Sequence, residues 1–470
     1  MRTPLFVSAA LAIALVVGCY GSSSDATANG SSNVTFHKDV EPILQDRCLS
    51  CHVEGGIAPF PLVTYANAKP YASSMAHETK ERVMPPWGAE ATPDCKPKFS
   101  FHDDPTLTDA QLDTLEKWSA AGAPEGDPND APPPYVAPPP GLANKNVEMQ
   151  PKGAFTVTDT TKDTFRCFVL DPKITSDVYM NGFAAIPGNS QVVHHLILYA
   201  DSKRESLTKQ LGPDGGYDCF GGANLAENTM LAAWVPGALP QTYPADVGTK
   251  LAANSLMVMQ IHYHPHTVAA VNSKPDSTKV QLSYTKTPPK WELINQLVGN
   301  FDAKSPFFFH DPNDPKSLPD FVIPPNAKDV TVSQKVPLST VAGKLGGREI
   351  RVFSIAAHMH LVGTQEKVWL HHATGATQED KDQCLLAVPR WDFNWQRSYH
   401  YDAAIETLPI LSKTDVLEVK CTFDNTLGNP FIAEELRSKG LSQPQQVSVG
   451  ESTLEEMCVG AFQFVTPRIP

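Results

Sequence analysis

Proline recurs at 42 of the 470 positions, and a chain so punctuated cannot be built from long helices. The ring removes a backbone donor and clashes with the preceding turn, which confines proline to turns, edges and helix starts. That leaves short strands, loops and stiff connectors, and a hydrophobic fraction of 41% against 19% charged supplies cores for them. The length exceeds one ordinary core, so two or three domains are expected. A net charge of −13 leaves no surplus of Lys and Arg for phosphate contacts, so nucleic acid is not expected as a partner.

The N-terminus reads as an export signal. Arg2 supplies the positive charge, and the apolar stretch from Leu5 to Val17 is too short to span a bilayer comfortably. It ends in Val16-Val17-Gly18-Cys19, which resembles a bacterial lipobox. The resemblance implies a lipoprotein-type signal peptide over 1–18, a lipidated Cys19 and a Gly/Ser tether over 19–33. Ordinary secretory cleavage is the alternative. Both readings predict export to the bacterial periplasm or cell surface, and in the lipoprotein reading the membrane is contacted only through the lipid anchor. No later stretch is long and apolar enough to cross a membrane.

Phe36, Val40, Ile43 and Leu44 share one face of a helix that leads into Cys48-Leu49-Ser50-Cys51-His52. Two thiols at this spacing suit thioether bonds to a haem, with His52 as iron ligand; a disulfide or zinc pair is the alternative. Met84, before Pro85-Pro86, is the candidate opposite ligand, with Met75, His77 and His102 as competitors. Thr108 and Gln111 predict a capping box, Leu112, Leu115 and Trp118 one helix face, and Gly122 its end. Residues 34–127 thus resemble a small, all-α class I cytochrome c carrying one covalently attached c-type haem. Residues 128–147, rich in proline, are expected to be a semi-rigid linker.

Beyond the linker, short alternating runs predict strands, among them Val192 to Tyr199, Leu256 to Tyr263, Val280 to Tyr284, Ile350 to Met359 and Val416 to Phe423. With no long amphipathic helix between them, two all-β sandwiches are expected. Their histidines cluster at His194-His195, at His262 and at His358-x-His360. On a strand, His358 and His360 point the same way. His194 and His195 point apart unless the strand is distorted or different ring nitrogens are used. His264 and His266 compete with His262 as third ligand. Gln260 is a candidate support for the ligands or a surface amide, and His371 and His372 are expected to face solvent.

The order His-His, then Gln260-Ile261-His262-Tyr263, then His-x-His, then Glu455-Glu456-Met457-Cys458 resembles the copper type II, ascorbate-dependent monooxygenases over about residues 148–470. The resemblance implies two jelly-roll-like sandwiches (148–288 and 289–470), each holding one copper ion, facing across a solvent-filled cleft. It assigns His194, His195 and His262 to an electron-transfer copper. His358, His360 and Met457 would hold the copper at which O2 hydroxylates a small organic substrate. Ascorbate is the reductant so implied; the fused haem, or a redox partner protein behind it, is a second electron source. It also implies a Cys421–Cys458 disulfide. In the peptidylglycine branch an Arg, an Asn and a Tyr anchor the substrate carboxylate, and those positions read Ala356, Val459 and Ala461. An uncharged or hydrophobic substrate end is therefore expected. The alternatives are a non-catalytic exported copper/haem electron-transfer or copper-binding protein, and a zinc hydrolase. The latter lacks an activating carboxylate within the His motifs. After Cys19, Cys48 and Cys51, six cysteines remain, which permits three disulfides in an oxidising compartment.

Overall fold

The computed structural model describes residues 34–137, 141–227, 229–236, 238–266, 268–300, 308–313, 321–340, 347–375 and 377–469. The expected signal peptide, Cys19 and the tether lie outside them.

Strands dominate, with a few short helices, and the strands read from alternation occur within a residue or two of their expected bounds. One large sheet runs through both expected sandwiches, in the order Val147–Met149, Lys279–Thr285, Val178–Ile186, Val247–Leu251, Trp291–Asn300, Cys458–Pro467, Ile350–His358, Ser398–His400. Its two halves meet where Trp291 and Glu292 pair in parallel with Val247 and Gly248. A five-stranded sheet (Gly216–Asp218, Thr164–Leu170, Leu256–Tyr263, Val193–Asp201, Thr229–Trp234) covers the first half. A four-stranded sheet (Val330–Pro337, Val416–Phe423, Gly363–His371, Asp382–Val388) covers the second. This arrangement is that of β-sandwiches.

Strand alternation decides what each face does. Along Val193–Asp201, Leu196 and Leu198 enter the first-half core with Met180, Phe183, Met259 and Ile261. His195, Ile197 and Tyr199 face the other way and line a cavity against the second half. The second-half core is built around Val352, Ile355, Val419, Phe462 and Phe464.

Before the proline-rich stretch the chain is helical in short pieces. A π-type turn at Phe36–Val40 runs into the helix Glu41–Arg47, and Ala72–Lys80 and Asp109–Ala120 follow. Phe36, Val40, Leu44, Leu115 and Trp118 form its core. The Asp109–Ala120 helix carries the expected capping box between Thr108 and Gln111, and Gly122 adopts a φ of +81° beyond its end. Between Arg82 and Thr108 the chain leaves this core. Trp87 and Ala89 join the second-half core, the Glu90 amide donates to Ala387 O at 3.0 Å, and Phe101 bridges to Tyr401. Cys95–Cys384 makes the attachment covalent. The other disulfides are Cys167–Cys219 and Cys421–Cys458. All six remaining cysteines are thus paired, a state that oxidising compartments sustain.

Candidate metal centre

His194, His195 and His262 converge because the strand is irregular at that point. Val193 pairs with Tyr263 and His195 with His262, and the register shifts between them, leaving His194 as the bulged residue. A bulge adds a residue on one strand and re-aims its side chain, so adjacent histidines reach one point. Of the two routes open from sequence, the distorted strand is used, and all three rings present the same nitrogen. Their Nδ1 atoms lie 3.3 Å from one another on every edge. Each Nδ1 carries either a proton or a lone pair, so at least two of the three are alike and one edge is repulsive. A cation at the centre removes that repulsion. An equilateral triangle of this edge has its centre about 1.9 Å from each corner, a metal–imidazole bond length. Burial pushes His194 and His195 well below the ordinary histidine range. Burial also lowers His262, against Asp163, which raises it. The neutral rings leave lone pairs for a soft or borderline metal, and the donor set fits copper.

Asp163 lies beside this triangle. Its Oδ2 is 3.4 Å from His262 Nε2, off the hydrogen-bond axis. Its Oδ1 accepts from His264 Nδ1 at 2.7 Å, and its Oδ2 accepts from the backbone N–H and hydroxyl of Thr453 at 2.9 and 2.8 Å. Burial raises this carboxyl, but His262 and His264 outweigh it and hold it well below the usual carboxylate range. A buried carboxylate this close to His262 favours positive charge at the triangle, as carboxylates beside metal-binding imidazoles do. Asp163→Asn is expected to lower copper affinity of the triangle by ~10–100-fold in chelator competition; unchanged affinity would remove Asp163 from the centre. His264 is engaged with Asp163, and His266 Nδ1 accepts from the Val268 amide, so neither joins the triangle. Gln260 is buried, with its amide toward Gly222 O at 3.4 Å, and is no surface residue.

His358 ends its strand, and His360 follows two residues on with its ring centroid 5.2 Å away. His358 Nδ1 lies 2.7 Å from Gln396 Oε1, and His360 Nδ1 lies 3.0 Å from Glu455 O. Each ring donates from Nδ1 and keeps Nε2 for a metal. Burial lowers both, His360 to about 3. Met457 immediately precedes the strand whose Val459 pairs with His358. One carboxylate holds this corner. Glu456 Oε2 accepts from the amides of His360 and Met457 at 2.7 and 2.9 Å. Its Oε1 accepts from Val362 and Gly363 at 3.0 and 3.2 Å. Burial pushes the carboxyl up, to about 8, while the four amides pull it down.

The two histidine groups lie close together, on the wall of one space between the halves. The rings of His195 and His358 are perpendicular with centroids 6.3 Å apart, and Phe393 stacks on His194 at 4.6 Å. His195, His358, His360 and Met457 line one cavity of about 190 Å³. Ala356, Val459 and Ala461, where the polar anchors were missed in the sequence, form part of its wall. His371 and His372 are half-buried rather than solvent-facing. His371 pairs with Asp382 and Glu418 at 2.6 Å each, and His372 with Asp415 at 3.0 Å.

In the helical part, Cys48 and Cys51 are the only cysteines outside disulfides among the described residues. His52 Nδ1 lies 3.0 Å from Phe60 O, which fixes the ring and leaves Nε2 for a ligand. Met75 is buried in the helical core. His102 lies on the docked segment, its amide donating to His400 O at 2.7 Å. Met84 lies at the start of that segment, its amide donating to Glu78 O at 3.1 Å.

Residues 152–269 match the family model for the N-terminal domain of copper type II ascorbate-dependent monooxygenases. That span contains His194, His195 and His262, and the match supports the copper type II monooxygenase family and an oxidoreductase chemistry. No curated protein matches the chain. Among solved structures, the major capsid protein P2 from bacteriophage PM2 is 7% identical, at a TM-score of 0.27, over 69% of this chain and 98% of that one. The infectious bursal disease virus VP2 subviral particle is 8% identical, at a TM-score of 0.17, over 70% of this chain and 74% of that one. Scores this low carry no argument about fold or function.

Proposed function

We propose that the chain hydroxylates a small organic substrate with O2 at a two-copper centre. His194, His195 and His262 hold the electron-transfer copper, and His358, His360 and Met457 the copper at which O2 reacts. Residues 148–288 and 289–470 are the two sandwich units involved. The observation that carries this reading is the 3.3 Å triangle of Nδ1 atoms next to a cavity that His195 shares with His358, His360 and Met457. The copper ions supply one-electron transfer and O2 activation. The protein's own part is positional. Gln396 and Glu455 O orient the two rings, Glu456 ties His360 to Met457, and the apolar wall excludes water from the reacting C–H.

Electrons come from ascorbate, from a fused c-type haem, or from both. Cys48 and Cys51 supply the thiols for haem attachment, His52 the iron ligand and Met84 the opposite one, in a cytochrome c-like unit over 34–127 with 128–147 as its linker. Two unpaired thiols in a chain whose other described cysteines are all bridged favour this assignment. Cys51→Ser is expected to weaken covalent haem retention in denaturing gels, and the Cys48/Cys51 double substitution to abolish it; full retention in the double variant would remove the haem assignment. Export to the bacterial periplasm or surface, with Cys19 as lipid anchor, completes the proposal, and the three disulfides agree with an oxidising location.

Metal analysis with EPR tests the whole. Two type II coppers and one low-spin haem per chain, with O2 uptake matched by hydroxylated product, are expected. Copper that binds without any coupled product across a broad substrate screen would instead favour a non-catalytic electron-transfer or copper-binding protein.

A further inference from the structure

Arg397 stands between Gln396, whose side chain holds His358, and Ser398, which pairs across the strands with Ala356. Its guanidinium has no carboxylate partner and no hydrogen-bond acceptor among the described residues, and its Nε is buried without a partner. Trp395 lies against it, 5.9 Å from guanidinium carbon to ring centroid. Arg397 lines the cavity of about 190 Å³ that holds His358, His360 and Met457. It also lines a larger, more polar cavity of about 800 Å³ between the docked segment and the sheets. Ala238, Gln241 and Ser398 belong to both walls as well, so the guanidinium sits where the two spaces meet.

A half-buried cation without an anion is costly to maintain, and a guanidinium satisfies its donors best on a carboxylate, two parallel N–H bonds to two oxygens. The acidic group lining the small cavity is Glu451. It accepts from the Gly221 amide at 2.8 Å, and burial pushes it up to about 7, so near neutral pH it carries only part of a negative charge. Ala356, Val459, Leu297 and Phe462 make the remaining wall apolar.

We propose that Arg397 anchors the substrate as a small organic anion, its carboxylate on the guanidinium at the junction of the two cavities and its apolar end toward His358, His360 and Met457. The three lost anchors lead to an expectation of an uncharged substrate end; this proposal instead meets a charged end from the residue just before the strand Ser398–His400, which pairs with Ala356. The orientation toward the histidines rests on the proposed function; the anion site itself does not.

The test therefore uses the metal-free full chain. Calorimetric titration compares phenylacetate with phenylacetamide and butyrate with butyramide, with phenethylamine as the cationic probe. At least one carboxylate is expected to bind ten-fold or more tighter than its amide and than the amine. Arg397→Gln is expected to bring acid and amide to parity, and Arg397→Lys to keep part of the preference. Parity in the native chain, tighter binding of the amine, or a preference that survives Arg397→Gln overturns the proposal. Copper uptake by the Arg397→Gln chain, equal to that of the native chain, checks that the fold is intact. A native chain that prefers carboxylates but takes up no copper would remove the monooxygenase reading and leave this site standing.

Discussion

Glu456→Ala is expected to destabilise the second half by about 4 kcal/mol or more and to abolish copper binding there. Four backbone amides end on this carboxylate. Each buried donor left without an acceptor costs about 1–3 kcal/mol, so four set the scale even at the low end. Two of them belong to His360 and Met457, so the loss also frees two proposed ligands of one metal from their common tie. Glutamine is no remedy, since its amide NH2 would face donors on one side. Urea unfolding of the metal-free chain, followed on the second-half transition, and copper stoichiometry are the measurements. A loss below about 1 kcal/mol with both coppers retained would show that the corner is held by other contacts.

His262→Ala is expected to take the chain from two coppers to one. The triangle loses one of three donors, a larger change than the ~10–100-fold cost of disturbing a support residue. At micromolar copper the first centre should stand empty while the signal of the second persists. His264→Ala is the matched control. It removes the other imidazole on Asp163 but none of the 3.3 Å contacts, so the copper count should stay at two. Two coppers in His262→Ala, or one in His264→Ala, would exchange the roles of these histidines.

What could be read from the sequence was the local part. The histidine pairs, the strands that carry them and the capping box at Thr108 follow from spacing alone, and family resemblance supplied their grouping. The bulge at His194 was legible only as a requirement, because two adjacent side chains cannot otherwise meet. Asp163 was not legible. Its partners His262, His264 and Thr453 are drawn from both halves of the chain, and a lone Asp in a loop carries no pattern. Glu456 was visible within a motif, but nothing in the motif announces four amides converging on it. Within the large sheet the two halves are joined by two parallel residue pairs, too few to leave a periodic trace. Arg397 is conspicuous only by what surrounds it, which spacing cannot supply.

The bond between Cys95 and Cys384, 289 residues apart in sequence, closes a covalent ring, and the proline-rich stretch lies inside it. That stretch is therefore an arc of a closed loop and not a leash. No single backbone cut between residues 96 and 383 releases the helical part, and lengthening the arc does not let it wander. Its distance from the histidines is governed by one sulfur–sulfur bond and the docked segment beside it. Reduction of that bond, rather than a longer linker, is what would leave the docked segment's non-covalent contacts as its hold.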